Sequence, residues 1–183
     1  MRPTRYIVAI AVAAALTLGV HVHAARTSQA SLEYEVKAAF LYNFAKFVEW
    51  PPEVFSAAEE PIVLCVAGND PFGASLDRTV NGRSAHGRAI AVRREVDAGQ
   101  TAGCHLLFVP AVEASQVARI VHSANGASVL TVGESPGFLD AGGIIGLAID
   151  AGKVRFEINA GAAERRGLRL SSQILKLARS VRR

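Results

Sequence analysis

Residues 62–72, Ile62-Val63-Leu64-Cys65-Val66-Ala67-Gly68-Asn69-Asp70-Pro71-Phe72, decide the fold class. The unbroken apolar run over 62–67 has the character of a strand buried on both faces. Gly68-Asn69 then turns the chain. Asp70 suits a helix N-cap and Pro71 the first helical position, so a helix is expected to follow and to carry Phe72, Leu76 and Val80. Asn81-Gly82 ends it.

The same punctuation returns twice downstream. The strand His105–Val109 closes with Val109-Pro110-Ala111 ahead of a helix over Val112–Ala124, which Asn125-Gly126 stops. The strand Ser128–Val132 closes with Val132-Gly133-Glu134-Ser135-Pro136 ahead of a short helix around Phe138. Ala89–Arg93 is a further short strand. Strands alternating with helices imply a mainly parallel sheet. Ile144–Ile149 and Lys153–Ile158, joined by Asp150-Ala151-Gly152, form a hairpin instead. On the amino side, Leu32–Glu49 has helical spacing with Val36, Phe40, Phe44, Phe47 and Val48 inward, and Pro51-Pro52 stops it. On the carboxyl side, Gly167 separates two short helices, the second burying Ile174, Leu175, Leu177, Ala178 and Val181. The expected architecture is one α/β domain over 25–183: a mixed, mostly parallel β-sheet flanked by helices, with a C-terminal β-hairpin and helix.

Ahead of that domain, Arg2 and Arg5 precede an uncharged apolar run over Tyr6–Val20, and Val22-His23-Ala24 supplies small or modest residues after it. This is the order of a secretory signal cleaved near Ala24, and the run is short for a membrane span of about 20 residues. Residues 1–24 are therefore expected to be removed on export. About 160 residues remain, enough for one buried core. The full chain has 20 Lys and Arg against 16 Asp and Glu. Two of those arginines belong to the signal, and the small residual charge does not suggest a nucleic-acid partner. Basic residues do cluster at the end (Arg165, Arg166, Arg169, Lys176, Arg179, Arg182, Arg183). They form either a solvated face or a surface for an acidic partner or anionic lipid.

Cys65 and Cys104 are the two cysteines. In an oxidising compartment an even count points to a disulfide, and the alternative is two buried thiols. The candidate ligand crevice lies where helices start beyond strand ends. Its residues are Gly68, Asn69 and Asp70 with Gly133, Glu134 and Ser135. In an open α/β sheet such ends share one edge, where ligands bind, although capping turns need the same residue types.

Catalytic patterns are missing: no nucleophile elbow, HExxH, Walker loop or dinucleotide fingerprint occurs. Gly142-Gly143-x-x-Gly146 precedes a strand, whereas a phosphate loop follows one. His86, His105 and His122 lack ligand spacing, so neither a metal nor another cofactor is expected. An enzyme is not the expected function.

The segment Glu35-Val36-Lys37-Ala38-Ala39-Phe40-Leu41-Tyr42-Asn43-Phe44-Ala45-Lys46-Phe47-Val48-Glu49-Trp50-Pro51 resembles the opening helix of the YfiR family. Asp70-Pro71-Phe72-Gly73, Cys104–Val109 and Gly142–Asn159 resemble its middle, and Gly167–Ala178 its closing segment. The resemblance implies a periplasmic regulator that binds the periplasmic part of an inner-membrane signalling protein, a diguanylate cyclase, and lowers cyclic di-GMP. It also implies a tendency to form homodimers and a redox-sensitive disulfide, with Cys65 and Cys104 at matching positions. The competing expectation is a periplasmic sensor of a small molecule that uses the strand-end crevice.

Overall fold

The computed structural model describes residues 29–183, and the expected signal peptide lies outside the described residues. In chain order the elements are helix α1 (29–47), β1 (Val48–Glu49), β2 (Ile62–Ala67), α2 (Ala74–Val80), β3 (Ser84–Ala85) and β4 (Arg88–Val96). There follow β5 (Leu106–Val109), α3 (Ala114–Ser123), β6 (Leu130–Gly133), β7 (Ile145–Asp150) and β8 (Lys153–Asn159). The chain ends with α4 (Ala160–Arg165), β9 (Arg169–Leu170), α5 (Ser172–Leu177) and β10 (Ser180–Arg182).

Eight strands form one sheet in the order β10-β8-β7-β6-β5-β2-β4-β3. Only the β7–β8 hairpin and the β3–β4 hairpin are antiparallel; the other five pairings are parallel. The expected mixed, mostly parallel α/β sheet is what forms. Alternate residues of the central strands feed two separate cores. Leu64, Val66, Leu106 and Phe108 pack with α1, α2 and α4 on one face. Cys65, Ala67, Leu107 and Val109 pack with Val117 and Val121 of α3 on the other. Burial on both faces explains why 62–67 shows no polar alternation.

The two helices that follow the neighbouring strands β2 and β5 therefore leave toward opposite faces. α2 joins the first core and α3 the second. At such a point no connection crosses the strand ends, and a crevice opens there.

Several boundaries differ from expectation for local reasons. α1 ends at residue 47 because Val48 and Glu49 pair antiparallel with Leu170 and Arg169 in a two-stranded ribbon. Its buried stripe is Ala38, Leu41, Phe44 and Ala45, with Val36 exposed. Asp70 does not cap α2, which starts after Gly73. One carboxylate oxygen of Asp70 accepts the Phe72 amide at 2.8 Å, and the other accepts Arg94 Nε at 2.7 Å. β4 runs on to Val96 through an irregular register and a positive φ of 55° at Glu95. Around Phe138 the chain makes successive turns instead of a helix. The Phe138 ring is wedged between Gly133 and Gly143, where an added Cβ would meet it at 2.3 and 2.2 Å. At the carboxyl end Ile174 is buried, but Leu177 and Val181 are exposed. The second short helix stops at Leu177, and Val181 lies in β10, paired in parallel with β8.

Candidate functional site

The crevice at the carboxyl ends of β2 and β5 is a cavity of about 670 Å³. Gly68, Asn69, Asp70 and Pro71 after β2 line it, with Val96–Gly99 at the end of β4 and Pro110–Val112 beyond β5. Tyr34 of α1 and Gln116, Arg119 and Ile120 of α3 complete it. Its apolar walls are Ala67, Val96, Val112 and Ile120. Asp70 is already committed to Arg94 and the Phe72 amide. Asp97 and Arg119 face the cavity and form no ion pair among the described residues.

The six candidate crevice residues are thus divided. Gly68, Asn69 and Asp70 line the cavity, whereas Gly133, Glu134 and Ser135 do not. Gly133 makes room for the Phe138 ring. Glu134 and Ser135 brace the wall from behind and border a second cavity of about 400 Å³. Glu134 accepts the Tyr34 hydroxyl at 2.9 Å and the Ala111 amide at 3.0 Å, and it pairs with the buried Lys37 ammonium. Glu33 pairs with Lys37 from one turn earlier on α1. Burial and the Glu134 charge hold the Tyr34 phenol above its ordinary range, so it stays a neutral donor. Ser135 Oγ accepts the Val112 amide at 3.0 Å. The strand-end loop 110–112 is thereby fixed by side chains of the next strand end. Tyr34, Asp97, Gln116 and Arg119 carry no sequence signal for this role; only the topology brings them together.

Cys65 and Cys104 form a disulfide, with Cα atoms 5.8 Å apart. It lies in the α3-side core, joining β2 to the segment that leads into β5.

His86, His105 and His122 join no metal-holding cluster: no group of three His, Cys, Asp or Glu that could hold a metal occurs among the described residues. His105 is buried and stacks on Phe55 at 4.6 Å between ring centroids. The Arg88 guanidinium also lies over the Phe55 ring, 3.7 Å from its centroid. His105 Nδ1 accepts the Val63 amide at 3.0 Å, which places its ring proton on Nε2. Desolvation pushes its pKa below the ordinary value.

The terminal basic cluster is largely committed within the chain. Arg166 is buried with no carboxylate partner among the described residues. It donates to the Val129 carbonyl and Thr131 Oγ1 at 3.2 Å each, and to Asn125 Oδ1 at 2.8 Å. Arg169 faces Glu49, Arg179 lies between Asp150 and Glu157, and Arg182 pairs with Asp140 at 2.5 Å. A uniform basic face including Arg166 is therefore excluded; desolvation lowers even the Arg166 pKa. No described helix is long and apolar enough to cross a membrane.

An open, mostly parallel sheet with a crevice at its strand-order reversal, bridged internally by one disulfide, defines an α/β domain of the open-sheet class. The chain belongs to the YfiR/HmsC-like family, whose model matches residues 34–179. Among solved structures it is similar to a conserved domain protein from Vibrio cholerae O1 biovar El Tor, with a TM-score of 0.50 and 16% identity. That match covers 66% of this chain and 55% of the other, and it bears on the fold alone.

Proposed function

We propose that this protein is a periplasmic regulator that binds the periplasmic part of an inner-membrane diguanylate cyclase and holds it inactive, lowering cyclic di-GMP. The observation that carries this reading is membership of the YfiR/HmsC-like family over nearly all of the domain. The Cys65–Cys104 bridge supports an oxidising compartment. An inhibitor of this kind needs no catalytic centre, only better binding to one state of its partner than to another. Leu32 and Val36, one turn apart on α1 and both exposed, are the first candidates for the contact. Ile149 on β7 is a further exposed apolar side chain.

Deleting the gene tests the reading. Cyclic di-GMP rises in the single deletion and returns to its starting level when the cyclase gene is also deleted. An unchanged nucleotide level in the single deletion contradicts the cyclase reading.

A further inference from the structure

The geometry points to a binding site for a small zwitterion with an apolar body, a free amino acid or dipeptide, in the cavity at the carboxyl ends of β2 and β5. Three independent observations converge there. The first is topological: α2 and α3 leave adjacent parallel strands toward opposite faces, the arrangement that opens ligand crevices in doubly wound sheets. The second is size: about 670 Å³ falls in the range of about 300–1,000 Å³ typical of small-molecule sites.

The third is charge. Asp70 is paired with Arg94, its Oδ2 lying 2.7 Å from Arg94 Nε, and Asp77 shares the same guanidinium. Among the described residues that leaves one carboxylate, Asp97, and one guanidinium, Arg119, facing the same cavity without ion-pair partners. A cation alone would be repelled by Arg119, and an anion alone by Asp97. A molecule carrying both charges satisfies both, with the guanidinium offering a two-pronged donor set to a carboxylate. The same cavity is lined by the apolar side chains of Val96, Val112 and Ile120. These favour an aliphatic or aromatic body over a sugar or a phosphate ester.

The site also has a route to the rest of the molecule. The Tyr34 ring lines the cavity while its hydroxyl is held by Glu134. An occupant therefore touches α1, which carries the exposed Leu32 and Val36. Ligand binding itself does not depend on the partner proposed above and is measurable without it.

The test is calorimetric titration of the purified, disulfide-bonded protein with L-leucine and with leucyl-leucine. Two singly charged analogues accompany them: 3-methylbutylamine, which lacks the carboxylate, and 4-methylpentanoate, which lacks the ammonium. At least one zwitterion binds saturably, and each analogue binds about tenfold more weakly or worse. Arg119→Gln weakens the zwitterion about tenfold and abolishes the penalty for losing the carboxylate; Asp97→Asn does the same for the ammonium. Both positions are exposed, so circular dichroism and melting of the variants stay as in the parent. Absence of saturable binding by either zwitterion overturns the proposal. So does zwitterion affinity unchanged within about twofold in both variants, because binding would then lie elsewhere.

Discussion

The Tyr34 hydroxyl donates to Glu134 Oε1 at 2.9 Å across 100 residues of chain, tying the first described helix to the loop beyond β6. The same carboxylate holds the Ala111 amide and the buried Lys37 ammonium. One side chain thereby fixes the α1 packing and the wall of the strand-end crevice together.

Removing that carboxylate leaves the buried Lys37 ammonium with Glu33 as its remaining ion-pair partner among the described residues. Glu134→Ala is expected to lower unfolding stability by about 3 kcal/mol, and Glu134→Gln by less, because an amide oxygen still accepts from Ala111 and Tyr34. Urea unfolding of the two variants measures this. Equal, sub-kilocalorie losses would show that Lys37 relies on Glu33 alone.

Much of this arrangement was legible in the sequence, and its limits have physical causes. The run 62–67, the Asp150–Gly152 hairpin turn and the Asn81-Gly82 stop all announce themselves through local chemistry, and each lies where expected. Asp70 misled because a capping residue is recognised only by type. Here Arg94, 24 residues later, captures the carboxylate. Glu134 was singled out as a crevice residue, yet it turns its carboxylate toward α1, a contact that no local pattern encodes. Arg119 and Asp97 belong to no local sequence pattern, and only the opposite departure of α2 and α3 gives them a shared cavity.

Arg166, which caps the end of α4, anchors the end of α3. Arg166→Met is expected to cost about 2–4 kcal/mol by leaving the buried Val129 carbonyl without its donor and removing the bonds to Thr131 Oγ1 and Asn125 Oδ1. Arg166→Lys recovers little, because one ammonium cannot span acceptors arranged for a planar fork. Thermal and urea unfolding decide the matter; a lysine variant as stable as the parent contradicts this role.

Protonating His105 is disfavoured in the folded state, since desolvation lowers its pKa, whereas the unfolded chain takes up the proton near the ordinary value. The His105 contribution is therefore present in full above about pH 6.5 and is lost as pH falls through the lower folded pKa. Unfolding free energy measured from pH 7.5 down to 5.5 should decline, and the decline should be shallower in His105→Gln. Parallel pH profiles for the two proteins would remove His105 as the cause.

The Cys65–Cys104 bridge closes a loop with a sequence separation of 39. Chain entropy then assigns it about 4 kcal/mol. Reduction, or the double replacement Cys65→Ala with Cys104→Ala, should lower the urea midpoint accordingly. A midpoint that does not move on complete reduction contradicts a stabilising role.

The regulator reading stands or falls most directly on capture of its partner. The tagged, disulfide-bonded protein is incubated with detergent-solubilised inner membranes, and the retained proteins are identified by mass spectrometry. The account predicts retention of a membrane-spanning diguanylate cyclase, its loss when the cyclase's periplasmic portion is deleted, and its weakening by Leu32→Asp with Val36→Asp. Retention of no membrane protein, under conditions in which the tagged protein is folded and oxidised, would contradict it.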